Sequence, residues 1–130
     1  MICDLKKSLV LSIASLCLFL APSSKAQAYD YTWGYYALVY LEDAYNLAAE
    51  TYQWDDQNAY NAWYFFYYSY SSAVIAYADG WDAQAYNAYY CGYYGVWYSW
   101  KLYESTGDYR AWWACMYGSA GTWFAYWSDN

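Results

Sequence analysis

The sequence predicts an all-α fold: an antiparallel, up-down four-helix bundle built from four single-helix repeats of about 26 residues. Three observations carry that prediction. Asp56, Asp82 and Asp108 stand 26 residues apart, each followed by a small-x-x-small segment: Ala59-Tyr60-Asn61-Ala62, Ala85-Tyr86-Asn87-Ala88 and Ala111-Trp112-Trp113-Ala114. Small residues then recur in alternating steps of three and four through each copy. The only proline, Pro22, lies ahead of all four copies, so no helix interior is broken by one.

The first and most divergent copy begins near Tyr31 and carries Gly34, Ala37, Leu41, Ala44, Ala48 and Thr51. The second carries Ala59, Ala62, Phe66, Ser69, Ala73 and Ala76, and the third Ala85, Ala88, Gly92, Gly95, Ser99 and Leu102. The fourth carries Ala111, Ala114, Gly118, Gly121, Ala125 and Ser128. All but Leu41, Phe66 and Leu102 are Gly, Ala, Ser or Thr. This is the a/d spacing of a heptad, which puts each set on one face of a helix of roughly 20 residues. Asp56, Asp82 and Asp108 occupy N-cap positions, where a carboxylate accepts from free backbone N–H groups. Asp79-Gly80 and Thr106-Gly107 supply stops and turns. Links this short make consecutive helices antiparallel.

The charges decide which face is inside. Glu42, Asp43, Glu50, Lys101 and Glu104 fall opposite the small stripe, and none falls on it. The stripe is therefore the buried seam, with Ala59, Ala62, Gly92, Gly95, Gly118 and Gly121 at its closest approaches. The rival arrangement puts the rings inside and leaves a flat Ala/Gly face in water, as a flat-surface binder would. The hairpin register places Gly92 opposite Gly121, Gly95 opposite Gly118 and Phe66, Phe66 opposite Ala44, and Leu41 opposite Ser69. Each mid-helix glycine costs about 1 kcal/mol relative to alanine, so close backbone packing, with tyrosines closing over the seam, must offset it.

Residues 1–28 read as an address. Lys6 and Lys7 precede an apolar run from Leu9 to Leu20, and Ala26-Gln27-Ala28 fits the small-x-small cleavage rule. We expect a secretory signal peptide cleaved near Ala28, leaving residues 29–130 as a single helical-bundle domain that is secreted, periplasmic or at the cell surface. An uncleaved anchor is the alternative. Three of the five basic residues and one of the twelve acids precede Tyr29, so the remainder is more acidic than the −7 of the whole chain. That balance argues against a nucleic-acid partner.

All 23 Tyr and all 10 Trp lie beyond residue 28. Heptad position half-buries Trp63, Phe65, Tyr70, Tyr89, Tyr98 and Phe124. It turns others outward, among them Tyr60, Tyr68, Tyr94 and Tyr126 and a candidate binding surface of Tyr64, Tyr67, Tyr86, Tyr90, Tyr93, Trp97, Trp100, Trp112, Trp123 and Trp127. Tyr and Trp join apolar area to a polar tip and dominate interface hot spots. The plainer reading lays these rings flat on the bundle with hydroxyls in water. The expected function is that of a non-enzymatic structural or interaction protein whose partner is itself, as a homo-oligomer or extracellular assembly. The alternative is a module for glycans or flat ligands, with Tyr93, Trp97 and Trp100 as a stacking platform and Asn61 or Asn87 donating hydrogen bonds.

Catalytic signals are absent. The chain has no histidine, so no Ser-His or Cys-His pair and no His-ligated metal site can be built. No phosphate-binding glycine loop or cofactor motif occurs; Cys91 to Gly95 belongs to the seam. The neighbouring acids Glu42-Asp43 and Asp55-Asp56 do not converge on a helix. Asp55, Asp56, Glu104 and Asp108 share one end of the predicted bundle, too scattered to predict a metal. Cys91 and Cys115 are offset across the predicted hairpin by about 10 Å, more than the roughly 7 Å a disulfide spans, so no bridge between them is expected. The uncharged stretches Gln57 to Ala78 and Ala111 to Ser128 raise membrane insertion, but their Asn, Gln, Ser and Tyr content favours water or an interface.

Overall fold

The computed structural model describes residues 29–129, so the predicted leader lies outside the described residues. The described chain is all-helical, with four helices: α1 (Tyr31–Glu50), α2 (Gln57–Asp79), α3 (Asp82–Thr106) and α4 (Tyr109–Ser128). They pack as a bundle. α1 lies against α4 and, less extensively, α2; α3 lies against α2 and α4; the α1–α3 diagonal is slight. No described helix is long and apolar enough to cross a membrane.

The helix ends follow from local chemistry. The Asp56 carboxylate accepts from Asn58 N (2.9 Å) and Ala59 N (3.1 Å), and Asp108 accepts from Arg110 N (2.9 Å). Asp82 differs from expectation. The link after α2 is only Gly80-Trp81, so Trp81 becomes the N-cap, without a side-chain bond, and Asp82 falls inside the first turn of α3. There its negative charge still meets the positive end of the helix dipole. Asp30 caps α1, accepting from Thr32 N at 2.9 Å and Trp33 N at 3.2 Å. The sequence carried that signal, since Asp30 stands 26 residues ahead of Asp56. Gly80 (φ 64) and Gly107 (φ 73) end α2 and α3 in the left-handed region, donating to Ala76 O and Tyr103 O. Only glycine takes that conformation without a Cβ penalty.

Every stripe residue from Gly34 to Ser128 is buried, and the exposed Ala/Gly face of the rival arrangement is thereby overturned. The core is not, however, glycine against glycine. Phe66, on α2 and fully buried, reaches between α3 and α4. A Cβ on Gly95 would lie 2.7 Å from its ring, and one on Gly118 would meet the same ring. Leu41 fills the space at Gly121, where a Cβ would stand 2.7 Å from its Cγ. Gly92 is held open for the Thr122 and Ser69 hydroxyls, and Ser69 Oγ donates to Ala88 O at 2.6 Å. The predicted pairing of Phe66 with Gly95 holds. The α3–α4 contacts are consistent with the predicted register, since Gly92 meets Thr122, next to Gly121, and Gly118 meets Val96, next to Gly95; Phe66 and Leu41 insert into the space these glycines leave. Such contacts, like that of the Tyr29 hydroxyl over Gly34, offset the helical cost of the glycines.

α3 and α4 also bury a second row, one residue beyond the stripe: Val96, Trp100 and Tyr103 on α3, and Cys115, Ser119 and Thr122 on α4. α1 and α2 bury no such row. The wider buried face thus lies on the helices that carry Gly92, Gly95, Gly118 and Gly121, where the absent side chains leave room for flanking ones. At one end Tyr29 packs with Ala76 and Ala85, its hydroxyl over Gly34 and hydrogen-bonded to Ser128, while Asp30 N donates to Ser128 O at 2.9 Å. At the other, Arg110 Nη1 donates to Glu50 O at 3.4 Å and its guanidinium pairs with Asp108 at 2.8 Å.

Candidate functional site

With the interior taken by small residues, most rings are left outside it. Of the predicted surface set, Tyr64, Tyr67, Tyr86, Tyr90, Tyr93 and Trp97 are exposed, each between 38% and 49%. Trp112, Trp123 and Trp127, and with them Tyr94 and Tyr126, are only half-buried rather than outward. Trp100 is a correction: it is 8% exposed and belongs to the hydrophobic core, because α3 buries the row next to its stripe. Trp63, Phe65, Tyr70, Tyr89, Tyr98 and Phe124 are half-buried, as their heptad positions require.

The outer rings form ladders, all exposed but Tyr94, which is half-buried. Residues four apart on a helix stand one above the other, so Tyr60, Tyr64 and Tyr68 run along α2, and Tyr86, Tyr90 and Tyr94 along α3. Centroid separations are 6.0 Å and 4.8 Å on α2, and 6.5 Å and 5.2 Å on α3. Phe65 joins the two ladders, stacked on Tyr94 at 5.3 Å and on Tyr98 at 5.7 Å. Tyr86, Tyr89, Tyr90, Tyr93 and Tyr94 line an open depression of about 240 Å³. Such offset and edge contacts are the arrangements aromatic quadrupoles favour. A second ring cluster joins α1 to α4, where Trp33 and Tyr40 stack on Phe124 at 5.4 Å and 5.6 Å. Sequence reasoning singled out neither Trp33 nor Tyr40, although both flank the α1 stripe.

The tryptophan platform does not assemble. Trp100 is buried, and Lys101 Nζ lies 5.0 Å from the Trp97 ring centroid, covering one face by a cation–π contact. Asn61 accepts from Gln57 Nε2 at 3.0 Å, and Asn87 Nδ2 donates to Gln84 Oε1 at 3.5 Å, so both asparagines already bond within their own helices.

Cys91 and Cys115 are free thiols, and burial raises both, Cys115 from 9.0 to about 12 against a partial opposing effect of its Ser119 hydrogen bond. A thiol held protonated is a poor nucleophile. The hydrogen-bonded Arg110 guanidinium lowers Asp108. Among the described residues no group of three or more His, Cys, Asp and Glu is placed to hold a metal ion. Compared with protein-family models, curated proteins and solved structures, the chain matches none.

Proposed function

We propose that this is a secreted, non-enzymatic structural or interaction protein that associates with copies of itself through its tyrosine-rich surface, centred on the α2–α3 ladders. The observation that carries this reading is the double ladder: rings exposed at all but Tyr94, uncharged between the helix ends and bridged by Phe65, on a chain whose acids sit on α1 and at the helix termini. A contiguous apolar patch of this kind is rare on a protein that stays alone in water. The leader, with cleavage near Ala28, would deliver it outside the cytoplasm. In finer detail we read the bundle as four copies of one unit, alternately up and down. The contacts of Asp30 with Ser128 and of Arg110 with Glu50, at opposite ends of α1 and α4, support that order.

Light scattering over a concentration range tests the proposal. The wild type should gain mass with concentration, and a variant with Tyr64, Tyr68, Tyr90 and Tyr93 all changed to Ser should remain monomeric with unchanged helicity. A wild type that stays monomeric at high concentration contradicts it. The glycan reading has less support, since the Trp97–Trp100 platform is missing.

A further inference from the structure

Tyr64 and Tyr68 stand closest of the touching tyrosine pairs along the α2 and α3 ladders. Their ring centroids are 4.8 Å apart, against 5.2 Å for Tyr90 and Tyr94, 6.0 Å for Tyr60 and Tyr64, and 6.5 Å for Tyr86 and Tyr90. Both rings are open to solvent, at 38% and 45% exposure, whereas Tyr94 is half-buried. Four residues apart, they leave α2 in nearly the same direction and run outward side by side. Phenol coupling forms a bond between carbons ortho to the two hydroxyls. Such a bond sets the centroids one bond length plus two ring radii apart, a little under the 4.8 Å seen here, and twists the rings out of one plane. The 57° between Tyr64 and Tyr68 suits that twist, whereas Tyr67 and Tyr68, at 5.2 Å and 88°, aim the edge of one ring at the face of the other.

We propose that Tyr64 and Tyr68 form an oxidative modification site, at which a one-electron oxidant of the peroxidase and hydrogen peroxide class joins the two rings within one molecule. Each phenol gives up one electron and one proton. The two electrons and two protons convert one hydrogen peroxide to two waters. The paired radicals form a carbon–carbon bond between ortho carbons, and the hydrogen on each coupling carbon then passes through solvent to the phenolic oxygen, restoring both hydroxyls.

The surroundings suit that chemistry. Oxidants select cysteines by thiolate character and exposure. Cys115 is fully buried and Cys91 half-buried, and both are held as thiols. Met116 is only partly exposed, packed against the core. The chain has no histidine. A link from one turn of α2 to the next leaves the fold unchanged, and the reaction does not depend on self-association.

The test is treatment of dilute purified protein with a peroxidase and hydrogen peroxide, followed by intact mass and by peptide mapping with chymotrypsin, which cuts between the two rings at Phe65 and Phe66. The expected product is a monomer lighter by two hydrogens, with dityrosine fluorescence and a Tyr64–Tyr68 cross-link. Tyr64→Phe and Tyr68→Phe should each lose it, while Tyr67→Phe, on the same helix with an adjacent ring, and Tyr90→Phe, on the other ladder, should keep it. A link mapped to Tyr67–Tyr68 or Tyr90–Tyr94, a yield unchanged in Tyr64→Phe, or covalent dimers as the sole product would overturn the assignment. Covalent dimers alone would leave the association reading intact, whereas a clean internal link in a protein that never self-associates would leave only this one.

Discussion

Phe66 is the residue on which the interior turns. It is fully buried, and the missing side chains of Gly95 and Gly118 are what admit its ring. Alanine at either position gains about 1 kcal/mol of helix propensity but forces a methyl against an aromatic that has nowhere to move, at about 1–3 kcal/mol. We expect Gly95→Ala and Gly118→Ala each to be net destabilising in denaturant titrations, by up to about 2 kcal/mol. Because the methyl and the ring compete for one space, Phe66→Leu should cost less in the Gly95→Ala background than in the wild type, a coupling that a double-mutant cycle reads directly. Additive effects would mean that the ring does not lie against the glycine.

Among the helices, the caps differ in a way that a mutation can resolve. Asp56 satisfies two backbone donors from outside α2, whereas Asp82 lies within the first turn of α3. Asp56→Ala should lower stability by about 1 kcal/mol, and Asp82→Ala by less, both read from chemical denaturation. At the other helix ends, Gly107 has open space around it but a φ of 73, so any cost of alanine there comes from backbone conformation alone.

For the molecule as a whole, the stripe was legible because only very small side chains fit where backbones approach, and their spacing repeats for every helix. Heptad position also sorted half-buried rings such as Phe65 and Phe124 from exposed ones such as Tyr90, but it turned Trp112, Trp123 and Trp127 outward where they are half-buried. Two features were not legible. The second buried row on α3 and α4 carries Trp100 and Tyr103, which by residue type resemble the outward rings, and only the widened α3–α4 face takes them in. Nor does a repeat reveal which large residue fills which glycine, since the symmetric spacing pairs stripe with stripe without matching sizes. The ladders themselves follow from four-residue spacing, but the bridge through Phe65 to Tyr94 and Tyr98 depends on rotamers.

Burial at the closed end gives the molecule an alkaline limit. Burial raises Tyr29 from 10.0 to about 12, partly opposed by its Ser128 hydrogen bond. The folded state therefore keeps a proton that the unfolded chain releases first. Its contribution is complete below pH 10 and is lost as pH rises toward 12. Buried Cys115 acts in the same direction from pH 9 upward. Tyr29→Phe should flatten the loss of thermal stability between pH 10 and 12 while lowering stability at neutral pH by about 1 kcal/mol, the worth of the Ser128 bond.

The central claim is that a seam of mostly small residues, filled out by Phe66 and Leu41, takes the inside and leaves most tyrosines outside as an associating layer. Nitration of tyrosines by a water-soluble reagent, mapped residue by residue at low and high protein concentration, tests it most directly. The account predicts fast reaction of Tyr64, Tyr86, Tyr90 and Tyr93 in dilute solution, their protection as concentration rises, and protection of Tyr29 and Tyr103 throughout. Rapid nitration of Tyr29 and Tyr103, or ladder tyrosines that react equally at every concentration, would contradict it.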